Sequence, residues 1–150
     1  MGTNQSIHEA ARKNDVNSLK RLLSRGGNIE ERDDNGDTPL IEAAGNGKLD
    51  VVQYLVGMKA NIEAKCNASY TPLINAAYFG KLDVVQYLVG MKANIEAKSN
   101  IGDTPLIKAA GEGKLDVVQY LVGMKANIEA KSKQGRCTSY SDSNNSDSSK

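Results

Sequence analysis

The sequence predicts an all-α fold in which short helix-turn-helix units stack side by side into a solenoid. Two observations predict it. The chain repeats itself at a fixed period of 33 residues, and every copy carries the signals of two short helices. A period of this length is typical of solenoids, in which each unit contacts only its neighbours.

The repeat consists of two strings that recur without change. The string TPLI occupies 38–41, 71–74 and 104–107, and the string KLDVVQYLVGMKANIEAK occupies 48–65, 81–98 and 114–131. Three copies of an 18-residue string do not arise by chance. The three copies are therefore expected to share one structure.

The residues of one copy predict its helices. Thr38 suits an N-cap because its hydroxyl accepts a bond from a free helix N–H, and Pro39 follows at the first helical position. Small alanines then allow close approach of a neighbouring helix, until Gly47 ends the first helix. The apolar spacing predicts a second helix over about 49–56. The polar, turn-rich stretch after it suits a hairpin-like loop.

A degenerate copy precedes these three. The segment IHEAA at 7–11 fills the positions of 40–44, and Ser6 with Glu9 forms a capping box. This copy is more polar, as expected of a terminal unit with one free face. Its basic residues include Arg12, Lys13, Lys20, Arg21 and Arg25.

The period of 33, the T-P-L string and the A-A pair after it resemble the ankyrin repeat, whose pattern is T-P-L-H-x-A-A. The resemblance covers about 6–131 and divides it into four repeats, here repeats 1 to 4: about 6–32, 33–65, 66–98 and 99–131. It implies stacked helix pairs with hairpin-like loops. It also implies a concave face of first helices and loop tips that binds a partner protein.

Two positions depart from the family pattern. The histidine after T-P-L is kept only as His8 and becomes Ile41, Ile74 and Ile107 in the later copies. The glycine after the second helix is kept only as Gly26 and becomes Lys59, Lys92 and Lys125. Two loop geometries remain open: these lysines adopt the left-handed conformation, or the loop turns at Gly57, Gly90 and Gly123 instead.

The ends of the chain lie outside the repeats. Residues 1–5 are an N-terminal extension, and the polar, Ser-rich segment 132–150 is expected to be disordered. A fifth copy begins at Ser132 but loses the pattern after Gly135. We expect a monomer whose last repeat, with no fifth copy to cover it, either frays or pairs end to end with another chain.

Composition narrows the classes of function. The chain has 19 basic and 18 acidic residues; the tail holds three basic and two acidic ones, which leaves 16 of each sign in 1–131. This balance gives no basic face for nucleic acid. No apolar run approaches a membrane span, no secretory signal is recognised, and Cys66 and Cys137 form no metal or disulfide spacing. We expect a cytoplasmic protein.

Chemistry-bearing residues form no convergent set. With one histidine in the chain and no glycine-rich phosphate loop, we predict no enzymatic activity, no cofactor and no metal site. Rows that recur at 33 residues, such as Asp50 with its equivalents, are interpreted as structural, because a first-turn carboxylate favours a helix N-terminus.

The positions that differ between copies are the candidate partner-binding site. Eight of the 33 positions vary in repeats 2 to 4, and all lie in the hairpin loop or on the first helix and its end. Identical residues maintain the stack, so only variable ones distinguish partners. The residues selected are Asp37, Glu42, Tyr70, Asn75, Tyr78, Phe79, Ile101, Asp103, Lys108 and Glu112.

Repeat 3 is the exceptional copy. It carries Tyr70, Tyr78 and Phe79 where its neighbours have aspartate, glycine, and asparagine or glutamate. Aromatic residues ringed by polar ones are typical of an interface hot spot. The alternative is that Tyr78 and Phe79 only fill a gap between first helices.

A second class of function is a membrane-tethered adaptor. The N-terminus MGTNQS matches the pattern for myristoylation of Gly2. One acyl chain gives only marginal anchoring, and the basic residues of repeat 1 would have to supply a second signal. Ser6 is also needed as a helix cap, which leaves a very short tether.

Overall fold

The computed structural model describes residues 5–133 and 135, which form eight α-helices arranged as four stacked pairs. Each repeat contributes one pair, as the sequence predicts. The helices are α1 (Ile7–Arg12), α2 (Val16–Ser24), α3 (Pro39–Gly45), α4 (Leu49–Gly57), α5 (Pro72–Tyr78), α6 (Leu82–Gly90), α7 (Pro105–Gly111) and α8 (Leu115–Gly123). The predicted second helix is one residue longer than expected.

Hydroxyl caps start the first helices of all repeats. The Thr38 hydroxyl accepts from the Ile41 N–H at 3.2 Å, and Thr71 and Thr104 repeat this bond. In repeat 1 the Ser6 hydroxyl accepts from the Glu9 N–H at 3.0 Å. The caps satisfy donors that have no partner within the helix.

The loop after each second helix uses the lysines and not the glycines. Lys59, Lys92 and Lys125 have φ angles of 71°, 73° and 73°, while Gly26 has 91° at the equivalent place. The chain can then turn back, so that the Ala60 N–H donates to the Leu55 carbonyl at 3.0 Å. A side chain in this left-handed region costs about 1 kcal/mol relative to glycine.

Small residues bring the first helices together. Ala43 and Ala44 are fully buried, as are their equivalents in repeats 1, 3 and 4. First helices of adjacent repeats therefore contact one another more extensively than second helices do. These first helices form the row that the family resemblance assigns to the concave, partner-binding face.

Loop tips of successive repeats are joined by single backbone hydrogen bonds. The pairs are Asn67 N–H to Asn35 carbonyl at 3.0 Å, Asn100 to Ala68 at 3.1 Å, and Lys133 to Ile101 at 2.8 Å. The last bond continues the ladder beyond the predicted boundary at 131, and Ser132 is buried. The other parts of the predicted tail, residues 134 and 136–150, lie outside the described residues, as do residues 1–4.

Candidate partner-binding surface

Three aromatic side chains of repeat 3, Tyr70, Tyr78 and Phe79, form a cluster that we call the aromatic patch. Tyr70 precedes the cap of α5, Tyr78 ends that helix, and Phe79 is its C-cap. Ring centroids lie 6.2 Å apart for Tyr70 and Tyr78, and 4.7 Å apart for Tyr78 and Phe79, with interplanar angles of 75° and 68°. These are the edge-to-face geometries that aromatic pairs prefer.

One part of the aromatic patch is half-buried and another part is exposed to solvent. Tyr70 and Tyr78 are half-buried, whereas Phe79 is 49% exposed. Both tyrosine rings contact Lys108 of repeat 4, so the gap-filling alternative, which was stated for Tyr78 and Phe79, holds for Tyr78. Phe79 projects from the end of its helix and is the exposed part of the patch.

The rings of Tyr70 and Tyr78 lie against a buried ion pair formed by Lys108 and Asp103 of repeat 4. Lys108 Nζ lies 4.9 Å from the ring centroid of Tyr70, 5.0 Å from that of Tyr78 and 3.4 Å from Asp103 Oδ2. Cations are attracted to the negative faces of aromatic rings. The sequence predicts Asp103 and Lys108 on the partner-facing surface. The structure corrects this, because Asp103 is fully buried and Lys108 is 6% exposed.

Asn75 is also committed to packing between repeats. Its amide nitrogen donates to the Ile41 carbonyl of repeat 2 at 2.9 Å. A Cβ at Gly45 would lie 2.3 Å from this amide nitrogen and 3.4 Å from Phe79 Cδ2. The variable residues Gly45 and Asn75 are therefore matched to each other across the repeat boundary.

Glu42 makes the equivalent connection to repeat 1. Its carboxylate contacts His8 Nδ1 at 2.8 Å and accepts from Arg12 Nη1 at 2.7 Å. Burial alone would raise the pKa of Glu42, but the hydrogen bonds with His8 and Arg12 outweigh it, and the pKa is lowered. Glu42 is thus an inter-repeat residue that links α3 to α1.

The remaining candidates differ in exposure. Asp37 is half-buried, and burial together with the nearby carboxylates of Asp33 and Glu42 raises its pKa, although a hydrogen bond with Cys66 opposes this. Ile101 is half-buried at a loop tip, and Glu112 is exposed at the C-cap of α7. Gly2, the predicted lipidation position, lies outside the described residues.

Sequence reasoning missed a role shared by one variable position. Glu42, Asn75 and Lys108 are equivalent residues, and each reaches back to the preceding repeat through a different interaction. The variation at this position therefore reflects neighbour matching. The available signal was that changes at this position accompany changes in the preceding copy, such as Lys108 with the tyrosines of repeat 3.

Comparison with protein families agrees with this architecture. A family model described as ankyrin repeats (3 copies) matches residues 7–99 and 64–134. The chain belongs to the ankyrin repeat family. Ankyrin repeats are protein–protein interaction modules, and members of the family are typically scaffolds without enzymatic activity. In this ankyrin chain, none of the helices in the described range is long and apolar enough to cross a membrane.

Proposed function

We propose that this ankyrin chain recognises a partner protein through the aromatic patch on its concave face, with Phe79 as the central contact. The observation that carries the proposal is a half-exposed phenylalanine packed edge-to-face against Tyr78, with ring centroids 4.7 Å apart. Both neighbouring repeats have glycine at the Tyr78 position, so neither carries an aromatic side chain there. Exposed aromatics at the centre of a polar surface are favoured as binding hot spots.

The support beneath the patch favours tight recognition. Lys108 and Asp103 hold the two tyrosines from the buried side, and Gly45 gives Phe79 and Asn75 the room they occupy. A side chain fixed before binding loses little rotamer freedom when a partner arrives. Glu112, the equivalent of Phe79 in repeat 4, is exposed, and Asp37, the equivalent of Tyr70 in repeat 2, is half-buried, so both neighbouring repeats carry polar residues at these positions.

The proposal is tested by site-specific crosslinking. A photoreactive phenylalanine analogue replaces Phe79 in the native host, and a matched variant carries it at Gln86, which is exposed on the second helix of the same repeat. We expect a discrete partner adduct, identified by mass spectrometry, only from position 79. Adducts of equal yield at both positions would contradict a concave site.

Binding of the identified partner then measures the contribution of Phe79. Phe79→Asn installs the residue that repeat 2 carries there, and it leaves the tyrosines over Lys108 intact. We expect affinity to fall about tenfold or more, as for a hot-spot residue. Glu112→Asn is the equivalent change in repeat 4 and should alter affinity by less than about threefold. Equal effects of the two changes would remove Phe79 from the site.

A cytoplasmic location and the tethered alternative stay predictions. The sequence at Gly2 matches the acylation pattern, but the Ser6 hydroxyl is engaged as the cap of α1, so few residues separate Gly2 from the fold. The intact mass of the chain purified from its native host decides the question. An added myristoyl group would establish the lipid, and its absence would leave the adaptor untethered.

A further inference from the structure

His8 contacts two different parts of the chain, one in repeat 2 and one at the end of repeat 1. Its Nδ1 lies 2.8 Å from Glu42 Oε1 on α3, and its Nε2 lies 2.8 Å from the Glu31 carbonyl oxygen in the preceding loop. The imidazole is buried, at 5% exposure, so neither nitrogen has water as a ready substitute. Both ring nitrogens are therefore used.

The chemistry of the two partners fixes the protonation of His8. The Glu31 carbonyl oxygen can only accept, so Nε2 must carry a hydrogen. An ionised Glu42 carboxylate also only accepts, so Nδ1 must carry a second hydrogen. Neutral imidazole has one donor and one acceptor, and only the imidazolium donates from both nitrogens. The observed geometry therefore requires the charged form.

We propose that His8 is a protonation-controlled clamp that holds repeat 1 against repeat 2, and that its deprotonation loosens repeat 1 while repeats 2 to 4 keep their packing. In neutral His8, one ring nitrogen has no hydrogen, so its lone pair faces either the Glu42 carboxylate or the Glu31 carbonyl. One of the two connections is then lost in a buried place, where an unmade hydrogen bond is most unfavourable.

The charged groups around His8 favour the clamped state. Glu42 faces it from α3, while Asp33 and Asp37 act on it from the loop before α3. On α1, Arg12 forms an ion pair with Glu42 Oε2, the carboxylate oxygen that does not contact His8. Glu9 on the same helix pairs with Lys13 at 3.2 Å. The hydrogen bond with Glu42 raises the pKa of His8 from its ordinary value of 6.5; desolvation opposes it, and the Glu31 carbonyl adds to it.

The direction of the pH effect follows from these shifts. Because the folded pKa of His8 is raised, its contribution is complete below about 6.5 and disappears as the pH rises through the folded value. The pKa of Glu42 is lowered, so its contribution is present above the ordinary glutamate range and disappears as the pH falls through the folded value. The clamp is strongest in mildly acidic solution.

Later repeats supply an internal control. Ile41, Ile74 and Ile107 occupy the position equivalent to His8 and are buried. None of them titrates, so the boundaries between repeats 2 and 3 and between repeats 3 and 4 lack this clamp. A terminal repeat also has one neighbour only, so the loss of a single connection weighs more there.

His8 and Glu42, together with Asp33, are also residue types that can bind a metal ion. Ligand atoms of His8, Asp33 and Glu42 lie within 4.8 Å of one another. A metal would need a bare imidazole nitrogen, whereas both nitrogens of His8 already face oxygen acceptors at 2.8 Å. Asp33 Oδ1 in turn accepts from the backbone N–H groups of Asn35 and Asp37. The arrangement fits a hydrogen-bonded ion pair and not a ligand set.

Nuclear magnetic resonance tests the clamp directly, because His8 is the one histidine in the chain. The imidazole signals are titrated in the wild type and in Glu42→Gln, whose neutral amide can donate to a neutral imidazole. Arg12→Gln is the matched control, since it removes the other partner of Glu42 and leaves His8 in place. We expect a pKa above 6.5 in the wild type, a return to 6.5 or below in Glu42→Gln, and a smaller change in Arg12→Gln.

Amide exchange measures the structural consequence. Protection of α1 and α2, corrected for intrinsic rates, is compared at about pH 5.5 and about pH 8.5, on either side of the ordinary histidine pKa. We expect a fall towards high pH of about tenfold for each unit by which the folded pKa exceeds the unfolded one. Repeat 3 should show no such fall. His8→Ile, which copies the later repeats, should remove the pH dependence of repeat 1.

Several outcomes would overturn the clamp. A His8 pKa at or below 6.5 in the wild type would do so, as would unchanged protection of repeat 1, or a pH dependence that persists in His8→Ile. Addition of zinc chloride is the remaining arm. Stoichiometric changes at the His8 signals near neutral pH would show a metal site in place of the clamp, and unchanged signals support the hydrogen-bonded pair.

Discussion

Repeats 3 and 4 contain the same 18-residue string in different surroundings. The segments 81–98 and 114–131 are identical, and each forms one second helix and one lysine loop. Three apolar side chains of repeat 4 are nevertheless exposed where their equivalents in repeat 3 are half-buried. They are Leu115 at 51%, Val122 at 45% and Ile128 at 55%, which correspond to Leu82, Val89 and Ile95.

The difference arises from the neighbours and not from the string. Repeat 3 receives contacts on both sides: Asn94 N–H donates to Glu63 Oε2 at 2.8 Å, and Asn127 N–H donates to Glu96 Oε2 at 2.8 Å. The aliphatic part of Lys114 also lies over Gly80. In a solenoid, stability is close to a sum of repeat and interface terms, so one string has two local stabilities.

The largest expected effect is on amide exchange. Protection in 114–131 should be roughly a hundredfold lower than in 81–98, because terminal units open at low free energy and internal ones approach the global value. Identical sequence makes the intrinsic exchange rates nearly equal, so the ratio reports position alone. Equal protection in a sample shown to be monomeric would contradict this. Equal protection in a dimer would instead indicate end-to-end pairing of uncovered faces.

A paired core truncation sharpens the comparison. Val85 is fully buried in repeat 3, while its equivalent Val118 in repeat 4 is only partly buried. We expect Val85→Ala to lower the free energy of unfolding by about 2 kcal/mol and Val118→Ala by about 1 kcal/mol or less. Urea denaturation of the two variants beside the wild type gives both numbers. A larger loss for Val118→Ala would mean that repeat 4 is covered in solution.

Substitutions of the loop lysines test whether backbone strain in the loop lowers the free energy of unfolding of the whole protein. Lys92 and Lys125 share a φ of 73°, so glycine relieves the same strain at both. Lys92→Gly should raise the free energy of unfolding by about 1 kcal/mol. Lys125→Gly should raise it less, because repeat 4 opens before the rest of the stack. Destabilisation by Lys92→Gly would show that the lysine side chain makes a compensating contact.

The smallest expected effect concerns the C-terminal segment. Deleting 136–150 should change the free energy of unfolding by less than about 0.5 kcal/mol, because a polar, Ser-rich segment buries little apolar surface. Truncation after Gly135 keeps Lys133, whose N–H extends the loop ladder. A clear fall in the unfolding midpoint would mean that this segment covers the free face of repeat 4, and the contrast with repeat 3 would shrink accordingly.

The candidate site could be predicted only in part. The sequence shows that Tyr70, Tyr78 and Phe79 are exceptional, because they break the pattern of otherwise identical copies. It does not show that Lys108 and Asp103 lie buried next to the tyrosines. A lysine and an aspartate on a first helix and its loop are usually solvated. Contact between Lys108 and the tyrosines of the preceding repeat helps to offset the cost of burying this ion pair.

The sequence by itself determined the number of repeats, the places where helices begin, and the composition of the core. These features are local, since each depends on residues within one 33-residue copy. Only the tertiary structure decided how the variable residues are used. In the tertiary structure, Glu42 forms a hydrogen bond with His8, Asn75 donates to the Ile41 carbonyl, and Phe79 stays exposed. The physical reason is that these contacts join residues about one period apart, so they exist only once neighbouring repeats have stacked.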